Sequence, residues 1–260
     1  MWDLNFISEA DFRQHVANTI KQYGDKLKPY DLKRFNSNTI DPVKLIFDKG
    51  VYRYSWEEII NNEIFRQRDK SSNNDIGYFH QRMFEYIDGC TVPKAGWDVI
   101  VKKDKPIDVP EVGPVSTIYV EMKNKHNTMN SASSAKTYMK MQGQLLTDDD
   151  CACFLVEAIA KKSQNITWTV SVDGTKQHHR RIRRVSMDQF YETVTGDPLA
   201  FYKICMALPA TIEAVVAEAK DFSIPEDTVH KELTEQAARY GLYEMALYML
   251  GFETYTGFKK

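Results

Sequence analysis

Ile118-Tyr119-Val120-Glu121-Met122-Lys123-Asn124-Lys125 is an apolar strand that ends in a carboxylate, one spacer and a lysine. Strand side chains alternate between the faces of a sheet, so Glu121 and Lys123 share one face. Upstream, Gly96-Trp97-Asp98-Val99-Ile100 carries an acidic residue at the end of another short apolar run. On a neighbouring strand Asp98 meets Glu121 across the sheet, and two carboxylates converge with a lysine.

Such a trio suits phosphodiester hydrolysis. Hard carboxylate oxygens hold Mg²⁺, which prefers octahedral oxygen coordination and keeps several waters. Asp98 and Glu121 are the expected ligands, with the backbone carbonyl of Met122 as a further one. The ion polarises the scissile phosphate and acidifies a bound water, while Lys123 orients that water and offsets developing charge. The competing reading is an ion-pair network at a sheet edge. Two further acidic-x-lysine triplets lack the strand context: Asp31-Leu32-Lys33 follows Pro29-Tyr30, and Glu218-Ala219-Lys220 sits in a helical run.

Outward from this stretch, residues 97–101, 115–121, 154–160 and 167–172 are short runs rich in β-branched or aromatic residues and read as strands. Residues 131–146 form a helix capped by Ser131 or Ser133, with Ala135, Tyr138, Met139, Gln142 and Leu146 as its inward stripe. Residues 102–114, with three prolines and several charges, read as an exposed hairpin arm. The N-terminal third is helical over 8–23, 41–67 and 75–87, with the polar run 69–74 as a loop. The tail 187–251 is helical again, broken at 196–198, Pro209 and Pro225. The order helix, strand, strand, helix, strand, strand specifies an α/β fold, a mixed central sheet flanked by helices.

A chain of 260 residues fits one elaborated domain over 1–260. Its parts are a helical N-terminal extension (1–70), a core (75–175), and a basic segment with C-terminal helices (176–260). The 43% hydrophobic and 27% charged composition is that of a soluble globular chain. A net charge of −2 gives no global positive field, so any DNA contact has to come from local basic groups. The start has no basic stretch followed by an apolar run, and no uninterrupted apolar segment is long enough for a bilayer, so a cytoplasmic protein without a membrane partner is expected. Four cysteines, Cys90, Cys151, Cys153 and Cys205, read as reduced core thiols. Asn165-Ile166-Thr167 matches a glycosylation acceptor for which a cytoplasmic chain has no use, the Cys151-x-Cys153 pair reads as core, the 148–150 aspartates read as a solvated turn, and the absence of a Walker A pattern predicts no nucleotide cofactor.

The order of elements, with Asp98 on one strand and Glu121-Met122-Lys123 on the next, resembles the core of the PD-(D/E)xK nuclease superfamily. The run 121–131, Glu-Met-Lys-Asn-Lys-His-Asn-Thr-Met-Asn-Ser, with Gly96-Trp97-Asp98 upstream, is similar to type II restriction endonucleases that recognise GGNCC. Ser186-Met187-Asp188-Gln189-Phe190-Tyr191 and Thr195-Gly196-Asp197-Pro198 resemble the C-terminal regions of such enzymes, and the similarity spans about 75–201. Trp97 stands where the superfamily name has proline. The resemblance implies a restriction-endonuclease-like fold and a homodimer that cuts both strands of double-stranded DNA at a palindromic site, leaving 5′-phosphates. It also implies a helix carboxylate ahead of the first catalytic strand, for which Glu85 is the candidate through a water-mediated metal contact, with a solvent-facing helix glutamate as the alternative. His80 reads as structural or as a phosphate contact.

For DNA contacts, the polar stretch after the catalytic strand offers Asn124, Lys125, Asn127, Asn130 and Ser131 to bases or phosphates, Asn127 and Asn130 foremost. Lys136 and Lys140, one helical turn apart, face either phosphate or solvent. In the basic run 178–184, Arg181 and Arg183 share a face and can present bidentate donors to guanine, with solvated surface charge as the alternative. A repair or structure-specific nuclease of the same fold, and a catalytically silent DNA-binding module, are the rival functions.

Overall fold

A computed structural model of the chain describes residues 2–26, 28–218 and 226–255. The quoted stretch lies in a six-stranded sheet of β1 (Cys90–Thr91), β2 (Val99–Val109), β3 (Gly113–Lys125), β4 (Cys151–Ile159), β5 (Asn165–Val172) and β6 (Thr175–Ser186), in the order β1-β2-β3-β4-β6-β5. The pairs β1–β2, β2–β3 and β5–β6 are antiparallel, and β3–β4 and β4–β6 are parallel. The sheet is therefore mixed and flanked by helices, as the order of apolar runs predicts. Its centre is β4, buried without interruption from 151 to 157. A strand covered on both faces reads as a continuous apolar run, and Cys-Ala-Cys-Phe-Leu-Val is one.

Parallel neighbours need a crossover, and α5 (Ser131–Thr147) supplies it between β3 and β4. Asn130 caps this helix, its side chain accepting from the Ser133 N–H at 2.8 Å. Neither serine expected as the cap does so. The inward stripe is also turned from the predicted one: Tyr138 and Met141 are buried, with Ala135 and Leu145 beside them, whereas Met139 and Leu146 face solvent. Adjacent stripes of one helix are equally apolar here, and packing against Cys153, Leu155, Trp168 and Ile182 selects between them.

The opposite face of the sheet carries Ile118, Val120, Phe154, Val156 and Val185. These pack with Phe12 and Val16 of α1 (Glu9–Lys26), Phe79 and Met83 of α4 (Trp56–Met83), Phe190 and Tyr191 of α6 (Met187–Thr195), and Ile204 of α7 (Ala200–Glu218). Alternation along β3 thus buries Val120 in one core while Glu121 points to the α5 side.

Several sequence expectations give way. The arm at 102–114 is sheet: β2 continues to Val109 and β3 begins at Gly113. Its prolines are accommodated because none has to donate to a ladder. Pro106 falls in the register shift between Lys102 and Ile107, Pro110 in the turn, and Pro114 ahead of the β4 pairing that starts at Thr117. The run 69–74 is helical within α4, where Ser72 Oγ donates to Arg68 O at 3.0 Å and Asn73 to Asp69 at 2.9 Å. Pro209 lies inside α7 without ending it; the N–H it lacks would have paired with the carbonyl of Cys205, an exposed residue. Cys205 is accordingly no core thiol, unlike Cys151 and Cys153. Against the expectation that no apolar segment is long enough for a bilayer, α7 is the one helix among the described residues long and apolar enough to cross a membrane by length and composition. Pro225 lies outside the described residues.

The chain divides into two compact units. The first holds the described residues of Met1–Ile20 and Asn74–Ala219, and with them the whole sheet. The second, the described residues of Lys21–Asn73 and Lys220–Lys260, is helical: α2 (Leu32–Asn36), α3 (Pro42–Tyr52), α8 (Val229–Tyr240), α9 (Tyr243–Gly251) and parts of α1 and α4. It has its own core of Tyr30, Phe35, Leu45, Ile60, Ile64, Leu233 and Leu247. The division falls at Asn73 and Asn74, inside the polar run of α4.

In the first unit, His80 lies against the Phe79 and Phe201 rings, at 5.4 and 6.4 Å, and burial lowers its pKa from 6.5 to about 4. The unfolded chain then binds the proton before the folded one, so stability is full above about pH 6.5 and declines as pH falls towards 4. Urea unfolding across this window should show that decline, and His80→Phe should flatten it; an unchanged slope in the variant would assign the acid sensitivity elsewhere.

Candidate active site

β2 and β3 pair with Val99 opposite Val120, and the ladder runs one residue further because the Asp98 N–H donates to Val120 O at 3.0 Å. Val99 and Val120 belong to the same core, so alternation turns Asp98 and Glu121 to the other face together. Asp98 Oδ2 accepts from the Met122 N–H at 2.7 Å, and the Asp98 carbonyl accepts from Gln81 of α4 at 3.0 Å. Backbone and carboxylate are thus both fixed. Burial raises the Asp98 pKa above the usual 3.8 and Glu121 adds to the rise, while the Met122 N–H, Lys123 and Lys140 oppose it.

Glu121 is engaged at both oxygens. Lys123 Nζ stands 3.8 Å from Oε2, and Lys140 Nζ of α5 binds Oε1. Lys140 also donates to Gly96 O and lies over the Trp97 ring, 4.0 Å from its centroid. Trp97 packs against Tyr119 at 5.4 Å, and the Tyr119 hydroxyl donates to Asp148 Oδ2 at 3.2 Å. The carboxylates and both ammonium groups therefore gather on the α5 side of the sheet.

Among the described residues no group of three or more His, Cys, Asp or Glu side chains gathers as a metal site. Two carboxylates nevertheless match Mg²⁺, which is commonly held by one or two carboxylates together with waters and phosphate oxygens. The Lys140 ammonium on Glu121 Oε1 is a stand-in cation, evidence that this carboxylate draws positive charge.

The structure does not bring Glu85 to this group. It is exposed in the 3₁₀ turn Phe84–Tyr86, and its field acts on His15 and Tyr86. The helix reaches Asp98 through Gln81 instead, because Gln81 lies within α4 and Glu85 beyond its end. His80 is held neutral by burial, which removes the cationic phosphate contact from its expected roles. Of the other triplets, Asp31 caps α2 by accepting from the Arg34 N–H, and Glu218 pairs with Arg13.

Lys125, Asn127, Ser131 and Lys136 are exposed around the end of β3 and the start of α5. Asn130 spends its carbonyl oxygen on the helix cap. Asn124 lies beside Gly77 of α4, close enough that a Cβ there would stand 3.3 Å from its Oδ1. Arg181 donates to Asp149 O. Arg183 is a correction: its side chain is fully buried, bonded to Asn165, to Thr167 at 3.1 Å and to Glu111 at 2.8 Å, and is not available to a guanine. Its neighbours Ile182 and Arg184 pair with Cys153 and Leu155, so alternation sends Arg183 into the other layer.

One polar cluster escaped sequence reasoning. Glu157, fully buried at the end of β4, accepts from Arg184 Nε at 3.1 Å, and His126 Nδ1 lies 3.0 Å from its other oxygen. Arg184 Nη2 also donates to the His126 carbonyl at 3.0 Å. The cluster ties the ends of β3, β4 and β6 together and holds the segment that leaves β3 for α5. Its only sequence signal is a glutamate inside an apolar strand, a position that demands a charged partner.

Compared with known proteins, residues 4–217 match the family model for the Eco47II restriction endonuclease. The chain is similar to the type II restriction enzyme Sau96I of Staphylococcus aureus, 30% identical over 218 residues that cover 81% of this chain and 80% of that protein. It is likewise similar to the type II restriction enzyme Eco47II of Escherichia coli, 30% identical over 237 residues covering 86% and 93%.

Removing Glu157 leaves Arg184 and His126 without their shared acceptor. Glu157→Ala should cost about 2–4 kcal/mol in urea unfolding, with part of it recovered in a double variant carrying Arg184→Met. A loss below about 1 kcal/mol, the scale of a surface pair, would show that the cluster holds nothing together.

Proposed function

Because the chain belongs to the Eco47II restriction endonuclease family, we propose that it hydrolyses double-stranded DNA at GGNCC in a Mg²⁺-dependent reaction that leaves 5′-phosphates. The observation that carries this reading is the convergence of Asp98, Glu121 and Lys123 on one face of the sheet, with the charges of Glu121 and Lys123 both acting on the Asp98 carboxyl and the lysine 3.8 Å from Glu121. Asp98 and Glu121 would hold the ion, with the Met122 carbonyl as a third protein ligand. Bound there, Mg²⁺ supplies Lewis-acid polarisation of the phosphate and acidifies water. The Met122 N–H keeps Asp98 aimed, and Lys123 orients the attacking water and offsets charge as it develops on the phosphate.

DNA lies, in this reading, along the end of β3 and the start of α5, contacted by Lys125, Asn127, Ser131 and Lys136, with Asn124, Asn130 and Arg181 beside them. A palindromic site calls for two active sites related by a two-fold axis, hence a homodimer, acting in the cytoplasm where chromosomal and incoming DNA are found.

Digestion of a plasmid of known sequence with Mg²⁺ should give discrete fragments ending at GGNCC; a smear, or ends at another sequence, would overturn the specificity. Glu121→Ala and Lys123→Ala should each lower the cleavage rate by about a thousandfold or more, the scale of removing one preorganised transition-state contact, while DNA binding in a gel-shift assay persists. Full cleavage by either variant would refute the assignment.

A further inference from the structure

That reading gives Lys140 no task, although it pairs directly with Glu121. Its ammonium binds Glu121 Oε1, donates to Gly96 O and rests over the Trp97 ring at 4.0 Å. These partners come from β3 and from the segment just before Asp98, so Lys140 of α5 bridges the two pieces of chain that carry the carboxylates. Lys123 is more loosely placed, 3.8 Å from the other oxygen. A divalent cation on Glu121 would therefore find its oxygen taken and a like charge at contact distance, an arrangement that opposes binding.

We propose that Lys140 is a positioning residue that acts as a latch: it occupies Glu121 in the DNA-free enzyme and leaves that carboxylate, and the Trp97 ring, when a divalent cation binds. The proposal rests on Asp98 and Glu121 being the metal ligands. Its stem is long and its side chain partly exposed, so the ammonium can withdraw without movement of the backbone. The anion suited to receive it is a DNA phosphate, which makes metal loading and substrate binding mutually favourable, each raising affinity for the other by the same factor. The enzyme would then hold its cation weakly until DNA is present.

The test uses Ca²⁺ titrated into the full-length protein without DNA, followed by calorimetry and tryptophan fluorescence. Lys140→Met should bind Ca²⁺ about three- to tenfold more tightly than the parent, and Lys140→Arg should stay close to the parent. In the parent, Ca²⁺ should change the emission as the cation leaves Trp97. That change should vanish in Trp97→Phe, with Trp2, Trp56 and Trp168 as a constant background, and shrink in Lys140→Met. Equal or weaker Ca²⁺ binding by a folded Lys140→Met, while Glu121→Ala abolishes binding, would overturn the latch and leave the metal ligands standing. Undiminished Ca²⁺ binding by Glu121→Ala would overturn both.

Discussion

The site depends on one backbone hydrogen bond, from the Asp98 N–H to the Val120 carbonyl, and on the antiparallel register it extends. Side chains alternate with period two, so a slip of one residue between β2 and β3 would send Asp98 into the core that holds Val99 and Val120. That core forbids the slip, because burying a carboxylate among Ile118, Phe154 and Val156 would leave it without partners. Apolar packing on one face of the sheet thus specifies the polar constellation on the other.

The parallel step from β3 to β4 has a similar consequence. It requires a crossover, and α5, once docked through Tyr138 and Met141, brings Lys140 to Glu121. The same step places the start of the helix and its Asn130 cap next to the end of β3. At the ends of β3, β4 and β6, Glu157, Arg184 and His126 fix where that segment departs. A chain with a net charge of only −2 therefore concentrates its charges locally, pairing carboxylates with lysines on one face rather than presenting a uniform field.

Much of the fold was legible in the residues because periodicity records burial. The run at 115–121 falls in β3, that at 154–160 overlaps β4, which is displaced to 151–159, and the helix of 131–146 is α5. The misreadings share a cause. Prolines at 106, 110 and 114 and the polar run at 69–74 are local signals for loops, yet a register shift, a turn and a solvated helix face absorb them. Arg183 looked like a surface donor because its neighbours are basic, while the sheet assigns alternate residues to opposite layers and buries this one among Asn165, Thr167 and Glu111.

By itself the sequence determined what is set by spacing along the chain: that Glu121 and Lys123 share a face, that an apolar strand delivers them, and that a helix follows. These follow from the fixed two-residue repeat of a strand and the 3.6-residue repeat of a helix. Tertiary structure alone decided which distant groups complete the constellation: Gln81 rather than Glu85 on Asp98, Lys140 on Glu121, Arg184 on Glu157. Those partners stand 17, 19 and 27 residues apart. Contacts of that kind arise from sheet register and helix docking, which are settled by packing of the whole core and leave no periodic trace in the chain.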